Sequence, residues 1–369
     1  ATGGAFAIFE HAALTVQNLI RGGLRRRTWP TSFDKFVAAI DRVTQKWGHP
    51  PALAVFLYLD PMECTRRAVR RLEGLGNLPW VGILFHPAAL HAGTRGIEHF
   101  FSATNARGAI FLIPEAKEIY AAALPRQTFT LAPDVADLMV APDPPAWIRS
   151  MRDRAGGRTV VLQVGTITPH KGVKQLLEVI RLADSSRFFF VIVGEPHWNL
   201  FGEEREDIQT FFARPPENVY AQLGYLQSEA DYNALICTCD IIYAVYQGFG
   251  GSSNALTKAA GLRRRILVSE ESLMGRRVTE AGIGGIAPSH SPGAILSALE
   301  QLAQQSAARF RFEEYAARHS LDELQRVLAE AMPRWQAPPA PAAIGTLRRH
   351  PGPASTSARS STASTLLAG

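Results

Sequence analysis

The strongest constraint on this chain is a recurring unit: a short unbroken apolar run, a turn, then a segment with one apolar face. Leu53 to Leu59 (LAVFLYL), Trp80 to Phe85 (WVGILF) and Ala109 to Ile113 (AIFLI) are such runs, bounded by proline, glycine or charge. A second series follows at Thr159 to Val164, Phe188 to Val193, Val219 to Leu223, Asp240 to Val245 and Ile266 to Ser269. Runs without polar alternation suit strands covered on both faces, as in a parallel sheet between layers of helix. Helical segments lie between them. Asp34 to Trp47 sets Phe36, Val37, Ile40, Val43 and Trp47 on one face, and Glu115 to Ala123 opens behind Pro114. Gly172 to Ala183, Ser228 to Cys237 and Asn254 to Gly261 fill later intervals. Strand, helix, strand repeated this often implies right-handed crossovers and an α/β fold of doubly wound sheets.

A chain of 369 residues has room for about two such domains. Pro142 to Pro145 breaks the pattern, so the expected division is a Rossmann-like domain at 1–146 and a second at 147–335, facing each other across a cleft. The first residue is Ala, and Gly3-Gly4 precedes an apolar-faced segment (Phe6, Phe9, Leu14, Leu19) with no strand before it. This reads as a fragment or processed chain whose first strand is missing. Residues 336–369 are rich in Pro, Ala, Ser and Thr and are expected to form a flexible tail. Arg348, Arg349 and Arg359 stand there without a carboxylate, so three of the six net positive charges lie in it. With 46% hydrophobic and 20% charged residues the chain is neither wholly disordered nor a coiled-coil rod. No apolar run approaches the ~18 residues of a membrane span. Three cysteines cannot make a disulfide framework, and Cys237-Thr-Cys239 lacks zinc or redox spacing, so a reducing cytoplasm is expected.

The chemistry-bearing residues cluster in loops at strand ends. Val164-Gly-Thr-Ile-Thr-Pro-His-Lys-Gly-Val173 ends a strand at Gly165, carries Thr166 and Lys171, and opens a helix at Gly172. Glycine lets backbone approach a ligand, a helix start offers free N–H groups to an anion, and Lys171 adds a full charge for a phosphate. An ordinary turn with a solvated lysine is the alternative. Gln247-Gly-Phe-Gly-Gly-Ser-Ser-Asn254 is a second glycine-rich loop, leading into a helix. Ser252, Ser253 and Asn254 there suit a helix cap, a diphosphate or sugar hydroxyls, and Lys258 stands one turn further on. Glu195 follows the third strand-end glycine, Gly194, and Tyr225 follows Gly224, where it is placed to stack on a base or simply to sit at the surface. In the first half, His86 comes directly after a strand, which sets it at the cleft for hydrogen bonding or proton transfer. His86, His91 and His99 have no convincing metal spacing and no carboxylate pair beside them, so no metal site is expected.

Taken in order, Gly165 with His170-Lys171-Gly172, then Val191-Ile-Val-Gly194, Gly224-Tyr225, Gly248-Phe-Gly250 and Gly275 to Gly284, these loops resemble GT-B glycosyltransferases of the retaining, family-4-like group 1 kind. The resemblance covers about 159–285 well and the first half only through Gly3-Gly4 and His86. It implies an enzyme that moves a sugar from a nucleoside diphosphate sugar to a glycan, lipid or small-molecule acceptor. It further implies retention at the anomeric carbon, no bound metal and no cofactor beyond the donor. It assigns Lys171 to the diphosphate, the Gly248-Phe249-Gly250 amides to the donor sugar, Tyr225 to the base, and His86 to the transferring sugar. Two departures stand out: the paired glutamates of that group are replaced by Gln247 and Lys258, and an arginine common after the first glycine is Thr166. The second reading is therefore a non-catalytic GT-B scaffold with a degenerate donor site. Arg25 to Arg27 and Arg263 to Arg265 lack interleaved aromatics, which argues against nucleic acid. Arg25 to Arg27 also fit a peripheral membrane contact, with a solvated face as the plainer alternative.

Overall fold

The computed structural model describes residues 33–62 and 65–337. The expectations placed on Gly3-Gly4, on Arg25 to Arg27 and on residues 338–369 of the tail lie outside them. Among the described residues all ten strands pair in parallel, in two sheets. β1 (Ala54–Phe56), β2 (Trp80–Leu84), β3 (Ala106–Phe111) and β4 (Thr128–Leu131) lie in the order β1-β2-β3-β4. β5 (Thr159–Val164), β6 (Phe188–Gly194), β7 (Val219–Leu223), β8 (Ile241–Ala244), β9 (Arg265–Ser269) and β10 (Gly284–Ala287) lie in the order β10-β9-β8-β5-β6-β7. In the second sheet the chain reverses direction of travel between β5 and β8. The carboxyl ends of those two strands are therefore the switch point at which a sheet of this kind binds its ligands.

Burial explains the apolar runs. Every residue of β6 is buried, because helices cover both of its faces. In the first sheet, alternate residues of β2 go opposite ways. Trp80 and Leu84 enter an aromatic core with Phe56, Phe100, Phe101 and Phe111, while Val81 packs against Ala331 and Trp335. Those two belong to the last helix, Leu321–Gln336. Trp335 Nε1 donates to Thr128 O at 3.0 Å, fixing that helix to β4. The span 147–335 was expected to belong to the second domain throughout, yet this helix crosses back to cover the open face of the first sheet.

Two further differences have physical causes. The run Leu53 to Leu59 gives only three residues of strand, since Leu59 turns to donate its N–H to Ile83 O at 2.9 Å and folds over Gly82. β10 was not anticipated, because Gly284-Gly285 carries no apolar run, and it pairs through its backbone with β9. The segment between the sheets is held rather than loose: Asn233 Nδ2 donates to Asp137 O and Met139 O at 3.0 and 2.8 Å. Among the described residues no helix is long and apolar enough to cross a membrane.

Candidate functional site

The crevice between β5 and β8 is built by two loops that require glycine. Gly172 has φ +67°, and a Cβ there would lie 2.1 Å from Val245 O, so the turn after β5 can press against the end of β8 only without a side chain. The two loops are then tied together. Gln247 N donates to His170 O at 2.8 Å, and His170 Nδ1 lies 3.0 Å from Gln247 O. Lys171, on the short turn Pro169–Lys171, holds its Nζ 3.9 Å from the Tyr246 ring centroid. The helix Val173–Leu182 starts directly behind it, with its first N–H groups free of partners inside the helix. Phe249 packs edge-on against Tyr246, with ring centroids 5.5 Å apart. Gln247 Nε2 donates to Ser289 O at 2.8 Å, whereas its Oε1 is buried without a partner.

Lys171 and Gly172 after β5 and Gln247 and Phe249 after β8 are thus brought together, with Gly165 and Thr166 earlier in the first of these loops and Gly248 and Gly250 in the second. Glu195 borders the first loop through its carbonyl, which accepts from Ile167 N at 2.9 Å. Tyr225 stands at the carboxyl end of β7, 63% exposed, with no ring contact among the described residues.

His86 reaches this crevice from the first sheet. Its loop is anchored by Asp60, a residue the sequence reading passed over: Asp60 Oδ1 accepts from His86 N at 2.5 Å and Oδ2 from Phe85 N at 3.0 Å. The available signal was a carboxylate placed directly after the apolar run of β1. Glu98 steadies the same loop by accepting from Tyr120 Oη and Ala88 N. Its carboxyl is raised above the usual carboxylate range, chiefly by burial. A Cβ on Gly251 would meet Phe249 Cζ at 3.1 Å and His86 Cε1 at 3.2 Å, so the His86 imidazole lies against the glycine-rich loop of the other lobe.

Three expected residues are placed otherwise. Lys258 is 1% exposed and spends its ammonium on Asn233 Oδ1 (2.5 Å), Asp137 O (2.9 Å) and Glu229 (2.6 Å). With three donors and three acceptors it has nothing left for a phosphate, and it fastens the inter-sheet segment instead. Ser252 was also expected at an anion. Its hydroxyl donates to Asp134 Oδ2 and accepts from Arg277 Nη1, which turns it toward the junction of the lobes. Asn254 begins the helix Ala255–Gly261 with helical φ and no side-chain cap; Ser253 Oγ accepts from Ala255 N at 3.3 Å in its place. Arg277 lies within the Gly275 to Gly284 stretch singled out in the sequence, but nothing there marked it as a residue of the site.

No protein-family model matches the chain, and no curated protein sequence matches it. Solved structures do. HepE from Anabaena aligns with a TM-score of 0.58, 16% identity, and coverage of 80% of this chain and 81% of that one. Sucrose-phosphate synthase from Thermosynechococcus elongatus aligns with a TM-score of 0.56 and 18% identity over 83% and 80%. The chain has the GT-B fold. A UDP-forming trehalose-phosphate synthase from Burkholderia xenovorans, at 13% identity and a TM-score of 0.52 over 73% and 69%, agrees with that assignment. In GT-B terms, His86 comes from the first lobe and Lys171 with the glycine-rich loop from the second. Among the described residues no three His, Cys, Asp or Glu side chains gather as a metal-holding group.

Proposed function

We propose that the protein is a glycosyltransferase that moves a sugar from a nucleoside diphosphate sugar to a glycan, lipid or small-molecule acceptor. The observation that carries this reading is the meeting of Lys171, the start of the Val173–Leu182 helix and the first lobe's His86 around one glycine-rich loop. The likeness to HepE, solved in complexes with UDP and with UDP-glucose, supports a uridine nucleotide as the first donor to try.

The residues divide the work simply. As the anomeric C–O bond of the donor breaks, its electron pair goes to the diphosphate, where negative charge builds. Lys171 and the free helix amides are fixed positive groups for that charge. In our reading transfer proceeds with retention: the acceptor oxygen bonds to the anomeric carbon on the face the diphosphate leaves, and its proton passes to the departing phosphate oxygen. His86 holds a sugar oxygen during the exchange. We also propose that the reaction runs without a metal, since Lys171 and backbone amides supply the charge compensation.

Calorimetry with UDP and turnover of UDP-glucose test the reading. Wild type is expected to bind UDP, and Lys171→Ala to lower kcat by about 100-fold or more, the usual effect of losing one group that stabilises developing charge. Activity unchanged by EDTA is expected as well. Failure of wild type to bind UDP, GDP or ADP at millimolar concentration would overturn it. A second reading, a GT-B scaffold without catalysis, is favoured by Gln247 and the fully engaged Lys258 at the positions of the missing glutamates. Donor hydrolysis or transfer that disappears in Lys171→Ala rejects it.

A further inference from the structure

One helix of the second lobe, Leu273–Ala281, reaches the first lobe at three places. Leu273 is buried in the first lobe's aromatic core, Arg276 pairs with Glu115 at 2.6 Å, and Arg277 Nη2 donates to Leu112 O just beyond β3. The Arg276 pair is half-exposed at both ends and holds little on its own. Arg277 is different. Its side chain is 15% exposed, and its other nitrogen, Nη1, donates to Ser252 Oγ in the glycine-rich loop.

Ser252 is held from a second side by Asp134 Oδ2, with Arg277 Nη1 3.9 Å from the same carboxylate oxygen. Asp134 is itself fixed through its backbone: its carbonyl accepts from Thr257 Oγ1, and its N–H donates to His319 Nδ1 at 3.0 Å. A planar guanidinium therefore spans a first-lobe carbonyl and a second-lobe hydroxyl, in a pocket where an unmade hydrogen bond is costly. Ser252 is the neighbour of Gly251, the residue against which His86 rests.

The geometry points to Arg277 as the positioning residue that sets the Gly248–Gly251 loop against His86, acting through Ser252 and anchored on Leu112 O. The consequence for turnover rests on the sugar-transfer reading above, but the position of the loop does not. Arg277 meets its two acceptors with two separate nitrogens of one rigid fork, a spacing that the single nitrogen of a lysine does not reproduce, so Arg277→Lys should behave like Arg277→Gln.

The test is hydrogen–deuterium exchange on the full chain, comparing wild type with Arg277→Gln, Arg277→Lys, Ser252→Ala and Arg276→Gln. Amides of 248–254 should exchange about tenfold faster in the first three variants, while those of β5, β6, β8 and β9 stay as in wild type. Arg276→Gln, which breaks only the exposed pair, should leave the loop unchanged. Loop exchange at the wild-type rate in Arg277→Gln would overturn the proposal. So would equal acceleration across the whole second sheet, which marks a merely structural role. With UDP-glucose as probe, kcat should fall about tenfold in the same three variants, matching roughly 1.4 kcal/mol of lost positioning. Wild type without turnover would strike the sugar-transfer reading alone, because the exchange result decides Arg277 independently.

Discussion

Gly251 shows how much a single residue decides. Its missing side chain is what lets the His86 and Phe249 rings both press close to it from opposite lobes. Gly251→Ala would press on the ends of two side chains rather than on backbone, at 3.1–3.2 Å. We therefore expect the fold to keep its stability to within about 1 kcal/mol, while turnover of UDP-glucose falls several-fold; urea midpoints and steady-state rates check the two halves. Lys258 is the opposite case. A lysine beside a glycine-rich loop looks like a phosphate ligand in the sequence, and only its three acceptors show it to be structural. Those acceptors, on Asn233, Glu229 and Asp137, lie 25, 29 and 121 positions upstream, separations that local reading does not connect.

Among the elements, the last two helices carry testable weight. Trp335 is 1% exposed and bonded to β4, so Trp335→Ala removes a large buried ring and its hydrogen bond together. A loss of about 3–5 kcal/mol by urea denaturation is expected. His319 follows the helix Phe312–Arg318, stacks on Tyr315 with centroids 4.1 Å apart, and accepts from Asp134 N. Burial, with the Arg277 and Arg318 charges, pushes its imidazole down to about 4. Unfolded histidine titrates near 6.5, so between those pH values the unfolded chain holds a proton that the folded one does not. Stability should therefore fall as pH drops from about 6.5 toward 4. Asp134 has the opposite slope, because burial raises its carboxyl. His319→Gln keeps Asp134 but lacks the imidazole, so its Tm should decline less than that of wild type across the same window. An equal decline would show that His319 does not contribute.

At the scale of the whole molecule the two lobes have separable tasks in the reading proposed here. His86 belongs to the first lobe, whereas the diphosphate groups belong to the second. His86→Ala should then abolish sugar transfer while leaving UDP affinity within about threefold, a difference under 1 kcal/mol. Calorimetry beside product analysis measures both. Loss of UDP binding in that variant would mean that the nucleotide spans the lobes differently.

The sequence by itself determined the α/β class, nearly every strand of the second sheet and the strand-end position of its glycine loops. That information is local: continuous apolar runs fix covered strands, and glycine marks turns where a Cβ would strike neighbouring backbone, as at Gly172. Only the tertiary structure decided that Leu321–Gln336 serves the first sheet, that Ser252 and Lys258 face the junction, and that Asp60 and Arg277 hold the site in register. Each of these depends on a partner far away in the chain. A side chain's type announces what it can bond, but which acceptor it meets is fixed by how the lobes pack.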